Sequence, residues 1–117
     1  MTEHTASQSA AELLGWSARP SGHTLADGTP FEVYVQFSPE GAAISDLGGT
    51  LSSMGELSPE LRNAVLLLCR NNDLQLDGGA IVAHVPPGGE VGEAVNRLGR
   101  VCAQISRTAS GDASLPR

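Results

Sequence analysis

Phe31, Val33, Val35 and Phe37 alternate with Glu32, Tyr34 and Gln36, the period of a strand with one buried face. Ser38-Pro39-Glu40-Gly41 follows as a turn. Proline presets φ at the first corner, and Gly41 can adopt the left-handed conformation that closes it. A shorter apolar run, Ala42-Ala43-Ile44, returns and stops at Asp46-Leu47-Gly48-Gly49-Thr50. The pattern predicts two central strands, about Phe31–Phe37 and Ala42–Ser45, ending in a glycine-relaxed bend. Upstream, Ala18–Leu25 reads as a weaker strand whose Pro20 suits an edge. Ala26-Asp27-Gly28-Thr29 is its turn, with Asp-Gly a strong hairpin signal. Three strands in a meander is the simplest topology.

The rest of the chain switches between helical and strand periods. Ala6–Leu14 predicts a short helix stopped by Gly15, and Trp16 would fill the space between that helix and the sheet. Leu51–Leu57 reads as a loop or a single helical turn. Ser58 caps the next helix, with Pro59 at its first position and Glu60 near its positive end. Leu61, Ala64, Val65, Leu68 and Cys69 form its buried stripe, and Leu66 and Leu67 widen that stripe around most of the circumference. Such a helix is sandwiched in the fold or covered by another chain. Asn71-Asn72-Asp73 ends it, because asparagine tolerates left-handed φ. Leu74–Leu76 and Ala80–Val85 predict a second hairpin across Asp77-Gly78-Gly79. The last helix runs from about Glu90 to Arg107, with Val91, Ala94, Val95, Leu98, Val101, Cys102 and Ile105 at helical spacing. Gly92 and Gly99 inside it each cost about 1 kcal/mol relative to alanine, which predicts close backbone approach at both. The expected architecture is one α+β domain over residues 6–107, between tails at 1–5 and 108–117. Its order is helix–three strands–helix–two strands–helix, with the helices on one face of an antiparallel sheet.

Composition changes this picture little. A chain of 117 residues can bury one core without staples. Aromatics are only 3%, so that core is aliphatic. The net charge of −6 argues against direct nucleic-acid binding, which needs a basic excess. All 7 basic residues are arginine, which fits a GC-rich coding bias or a preference for rigid bidentate contacts. Cys69 and Cys102 lie far apart, each on the apolar side of a helix, and read as buried, reduced residues of a cytoplasmic protein, with a disulfide between packed helices as the alternative. No apolar run approaches membrane-spanning length, and the N-terminus lacks the pattern of a secretory signal.

Candidate chemistry is sparse. His4, His23 and His84 are scattered, and His84 falls on the strand face opposite Ile81, Ala83 and Val85. Ser45-Asp46 with Gly48-Gly49-Thr50 lacks the lysine and the strand–loop–helix frame of a phosphate-binding loop. It reads as a bend in which Asp46 accepts bonds from backbone N–H groups two or three residues on. Asp46, Glu56, Asp73 and Asp77 all sit in turns. No catalytic set, metal-ligand spacing or cofactor motif emerges, so an enzyme is not expected. Arg97, Arg100, Gln104 and Arg107 form a line along the last helix. It reads either as a partner-contacting ridge or as a solvated face suited to the negative helix end, with Glu93 one turn before Arg97 and able to pair with it.

Asp46-Leu47-Gly48-Gly49-Thr50-Leu51, placed after a strand hairpin, is similar to the Ile-Ser-Asp-x-Gly-x-Thr passage of an uncharacterised family of small bacterial and phage proteins. The similarity spans about Phe31–Arg107 and brings no catalytic residues with it. It implies a protein of phage or mobile-element origin. A non-enzymatic, anti-CRISPR-type inhibitor that occupies a host complex is the function expected from it. Glu32, Tyr34 and Gln36 on the sheet, with Arg97, Arg100 and Arg107 on the last helix, are the expected partner-binding residues. The element order also resembles that of type III secretion chaperones, and Val65-Leu66-Leu67-Leu68-Cys69-Arg70-Asn71-Asn72 looks like their leucine-rich second helix. That resemblance implies an acidic homodimer, joined through the Leu61–Arg70 helix, that holds an effector segment. The chain departs from it in having fewer apolar residues and no aromatic near the end of the final helix.

Overall fold

The alternating apolar positions become one face of a five-stranded antiparallel sheet in the computed structural model, which describes residues 15–25, 27–52 and 54–109. Strand β1 (Ser17–Thr24) pairs with β2 (Pro30–Ser38), and β2 pairs with β3 (Gly41–Ser45). A short helix α1 (Gly49–Ser52) and a longer α2 (Pro59–Asn71) follow. The chain then forms the hairpin of β4 (Gln75–Asp77) and β5 (Ala80–Val85) and closes with α3 (Val91–Ala109). The strand order is β1-β2-β3-β5-β4, which leaves β1 and β4 as the edges. The fold class is α+β, with an open antiparallel sheet.

Register decides which side chains meet. Val35 lies opposite Ile44, and Ile44 opposite Ala83. These residues share one face and join Val33, Ile81 and Val85 in the core. From the helices, Val65, Leu68 and Cys69 of α2 and Ala94, Val95, Leu98, Val101, Cys102 and Ile105 of α3 enter the same cluster. Burying each of the larger aliphatic side chains stabilises the fold by roughly 1.5–3 kcal/mol, so a core almost free of aromatic rings suffices. Tyr34, Ser45, Val82 and Gln75 form a cross-strand row on the opposite face.

Two glycines show why this packing needs them. Gly41 closes the β2–β3 turn at φ +122, and a Cβ there would fall 2.0 Å from the Val85 carbonyl oxygen. Gly99 lies where α3 crosses β1, and a Cβ there would sit 2.3 Å from Ser21 Cβ. Close approach was expected at Gly92 as well, but a Cβ at Gly92 meets nothing within 4 Å. Gly92 lies in the first turn of α3, on its exposed side, where no strand passes.

Several other expectations need correction. The single helical turn allowed for in Leu51–Leu57 is present as α1, but it begins earlier, at Gly49. Asp73 (φ 57), not Asn72 (φ −114), takes the left-handed position after α2. Asn72 instead continues the cap, donating its side-chain amide to the Leu68 carbonyl at 2.8 Å. Helix α3 extends through Thr108 to Ala109, beyond the expected boundary at Arg107. The tail at 1–5, the helix over Ala6–Leu14 and His4 lie outside the described residues, as do residues 110–117.

Candidate functional site

Helix α2 exposes two adjacent leucines. Ser58 starts it as expected, accepting a hydrogen bond from Leu61 N–H at 3.1 Å, with Pro59 at the first helical position. Val65, Leu68 and Cys69 turn into the core, and Leu61 and Ala64 pack against it. Leu66 and Leu67 do not follow them; they remain 44% and 39% exposed. Beside Leu66 runs a groove of about 750 Å³, with Arg70, Asp73, Leu74, Leu76 and Asp77 among its lining residues. Its far wall is β4, a sheet edge that has no neighbouring strand on its outer side among the described residues. A free edge next to exposed leucines is an adhesive combination that folded proteins usually cover. On the other side of the β4–β5 hairpin, Leu51, Leu57, Arg62, Val65, Leu76 and Gly79 line a cleft of about 400 Å³.

The bend after β3 is a structural corner. Asp46 is buried, and its carboxylate accepts from Gly48 N–H at 2.9 Å, Thr50 N–H at 3.1 Å and Ile81 N–H at 2.9 Å. The first bond matches the sequence reading, and the second reaches one residue further than expected, to Thr50. The third, across 35 positions, joins the bend to β5. Cys69 and Cys102 are buried free thiols. Burial, with the Asp46 charge adding to it, pushes the Cys69 thiol up to about 11 and the Cys102 thiol up further, opposed by a hydrogen bond between Cys102 and Thr50. Thiols held protonated in this way are poor nucleophiles and poor metal ligands at neutral pH. No group of three or more metal-ligating side chains occurs among the described residues. None of the described helices is long and apolar enough to cross a membrane.

The residues named for partner binding fall in two separate places. Glu32 is exposed, whereas Tyr34 and Gln36 on the same strand face are half-buried. On α3, Arg97 pairs with Glu93 at 2.9 Å, as the spacing suggested, and its side chain is only 20% exposed. Arg100 donates to the Asn72 side-chain oxygen at 2.8 Å, and Arg107 to the Thr24 carbonyl at 3.3 Å. Each arginine of the expected ridge therefore has an internal partner. His84 is exposed and pairs across the sheet with Ala43, on the face opposite Ala83 as expected. Sequence reading missed Phe37, which remains 58% exposed with the Arg19 guanidinium 5.6 Å from its ring centroid. A contact between residues so far apart in sequence leaves no local signal.

No protein-family model matches this chain, and no curated protein or solved structure matches it either.

Proposed function

We propose that this chain is a non-enzymatic protein-binding adaptor that works as a homodimer joined through α2. The observation that carries the reading is the exposed pair Leu66 and Leu67, beside the groove and free edge at β4. Two copies related by a twofold axis would bury both leucine pairs against each other. Helices lying mainly on one sheet face, in the order helix–three strands–helix–two strands–helix, would leave the other surfaces of the dimer for a partner polypeptide. That is the arrangement implied by the likeness to secretion chaperones. Two buried thiols suit a reducing, cytoplasmic setting.

The test is the mass in solution, measured by light scattering over a wide concentration range. Wild type is expected to be a dimer. The double variant Leu66→Glu/Leu67→Glu should be a folded monomer by circular dichroism, because both side chains point away from the core. A wild type that stays monomeric at the highest concentration would remove the homodimer from the proposal.

A second reading, an inhibitor of phage or mobile-element origin acting on a host defence complex of the CRISPR type, draws on the net charge of −6 and the exposed Glu32. Its contact set would be Glu32, Tyr34 and Gln36. The internal partners of Arg97, Arg100 and Arg107 weigh against using the α3 ridge.

A further inference from the structure

We infer that the cleft of about 400 Å³ between α2 and the β4–β5 hairpin binds a free α-amino acid with an aliphatic side chain, of which leucine is the example tested below. Its volume falls in the range of small-molecule sites, roughly 300–1,000 Å³. Its floor is apolar: Val65 is buried, Leu51 and Leu76 pack against the core, and Leu57 is half-buried. The other part of the lining carries one anion and one cation, Glu56 and Arg62, both exposed. Neither side chain has an ion-pair partner among the described residues, and the two do not pair with each other.

The start of α2 explains why both charges stand over one cleft. Glu56 precedes the Ser58 cap, and Arg62 follows it, with its backbone N–H donating to the Ser58 carbonyl at 2.9 Å. The capped bend therefore holds the two residues on its two sides. Unpaired charges of opposite sign beside an apolar floor match a ligand with the same three parts. An α-carboxylate can accept two parallel N–H bonds from the Arg62 guanidinium. The α-ammonium donates to the Glu56 carboxylate, and the aliphatic side chain lies on Leu51, Leu57, Val65 and Leu76. An apolar acid would leave Glu56 unpaired, and an apolar amine would leave Arg62 unpaired. The cleft is across the β4–β5 hairpin from the groove beside Leu66, so this inference does not rest on the homodimer.

Leucine, isoamylamine and isocaproate share one branched chain and differ in which charges they carry. Each is titrated into the full chain while the amide of Gly79, a lining residue, is followed by NMR. The same titrations are made with Arg62→Gln and with Glu56→Gln. Both side chains are exposed, so the circular dichroism of the variants should match wild type. Leucine is expected to give a saturable shift and to bind roughly tenfold more tightly than either analogue. Arg62→Gln should lower leucine to the affinity of isoamylamine and leave isoamylamine binding unchanged. Glu56→Gln should lower leucine to the affinity of isocaproate and leave isocaproate binding unchanged. The lack of a saturable shift with leucine at millimolar concentration would overturn the inference. So would an analogue that binds as tightly as leucine, or a leucine affinity unchanged in either variant.

Discussion

Substituting alanine at the two glycines of α3 should change stability in opposite directions, and the difference can be worked out from the geometry. At Gly99 a new methyl would sit 2.3 Å from Ser21 Cβ and 2.6 Å from Ser21 Oγ. Either α3 lifts off the sheet or Ser21 moves. Overpacking of this kind costs about 1–3 kcal/mol. Ser21 is also committed: its hydroxyl donates to the Phe31 carbonyl at 2.7 Å and accepts from His23 N–H at 3.2 Å. Disturbing that pair adds about 1 kcal/mol, while the better helix propensity of alanine returns about 1 kcal/mol. Gly99→Ala should therefore destabilise the protein by about 1–3 kcal/mol. At Gly92 the methyl meets nothing within 4 Å, so only the propensity gain remains, up to about 1 kcal/mol. The two variants should differ by about 1–4 kcal/mol, which for a chain of this size is roughly 4–16 °C in Tm. Thermal and urea unfolding, followed by far-UV circular dichroism, measure this directly. A Gly99→Ala protein as stable as wild type would refute the close crossing of α3 over β1.

Removing the Asp46 carboxylate should be among the costlier single changes. Asp46→Ala leaves the buried N–H groups of Thr50 and Ile81 without their acceptor, a loss of about 3 kcal/mol or more. A urea midpoint close to that of wild type would show that water replaces the carboxylate. The thiols predict a dependence on pH. Folding raises their pKa, so the stability linked to them is complete below the ordinary thiol value of 9.0 and is lost as pH rises through about 11. The urea midpoint of wild type should fall over that interval, while that of Cys69→Ala/Cys102→Ala should fall less. Parallel profiles for the two proteins would show that the thiols are not responsible.

What could be read from the sequence was what local spacing encodes. The alternation over Phe31–Phe37, the Ser58-Pro59 start of α2 and the Glu93–Arg97 pair are all short-range patterns, and the structure contains each of them. Contacts between distant segments could not be read. Gly92 and Gly99 look alike in sequence, and only the path of β1 beneath α3 separates them. Leu66 and Leu67 could be seen to widen the stripe of α2. That they would remain exposed depended on how far the core extends around the helix. The line of Arg97, Arg100 and Arg107 was correct as a helical face. Its occupancy depended on Asn72 and on the Thr24 carbonyl, which fold back from other elements.

The bond from Ile81 N–H to Asp46 has a consequence for the order of events in folding. Where β3 ends, a side chain stands in for the next backbone acceptor of the ladder, and the same carboxylate holds the bend that leads into α1. Neither half of the molecule can complete this joint alone, because the meander supplies the acceptor and the later hairpin supplies a donor. Native-state hydrogen exchange should therefore show the amides of Gly48, Thr50 and Ile81 opening together, as one cooperative unit that spans both halves of the chain.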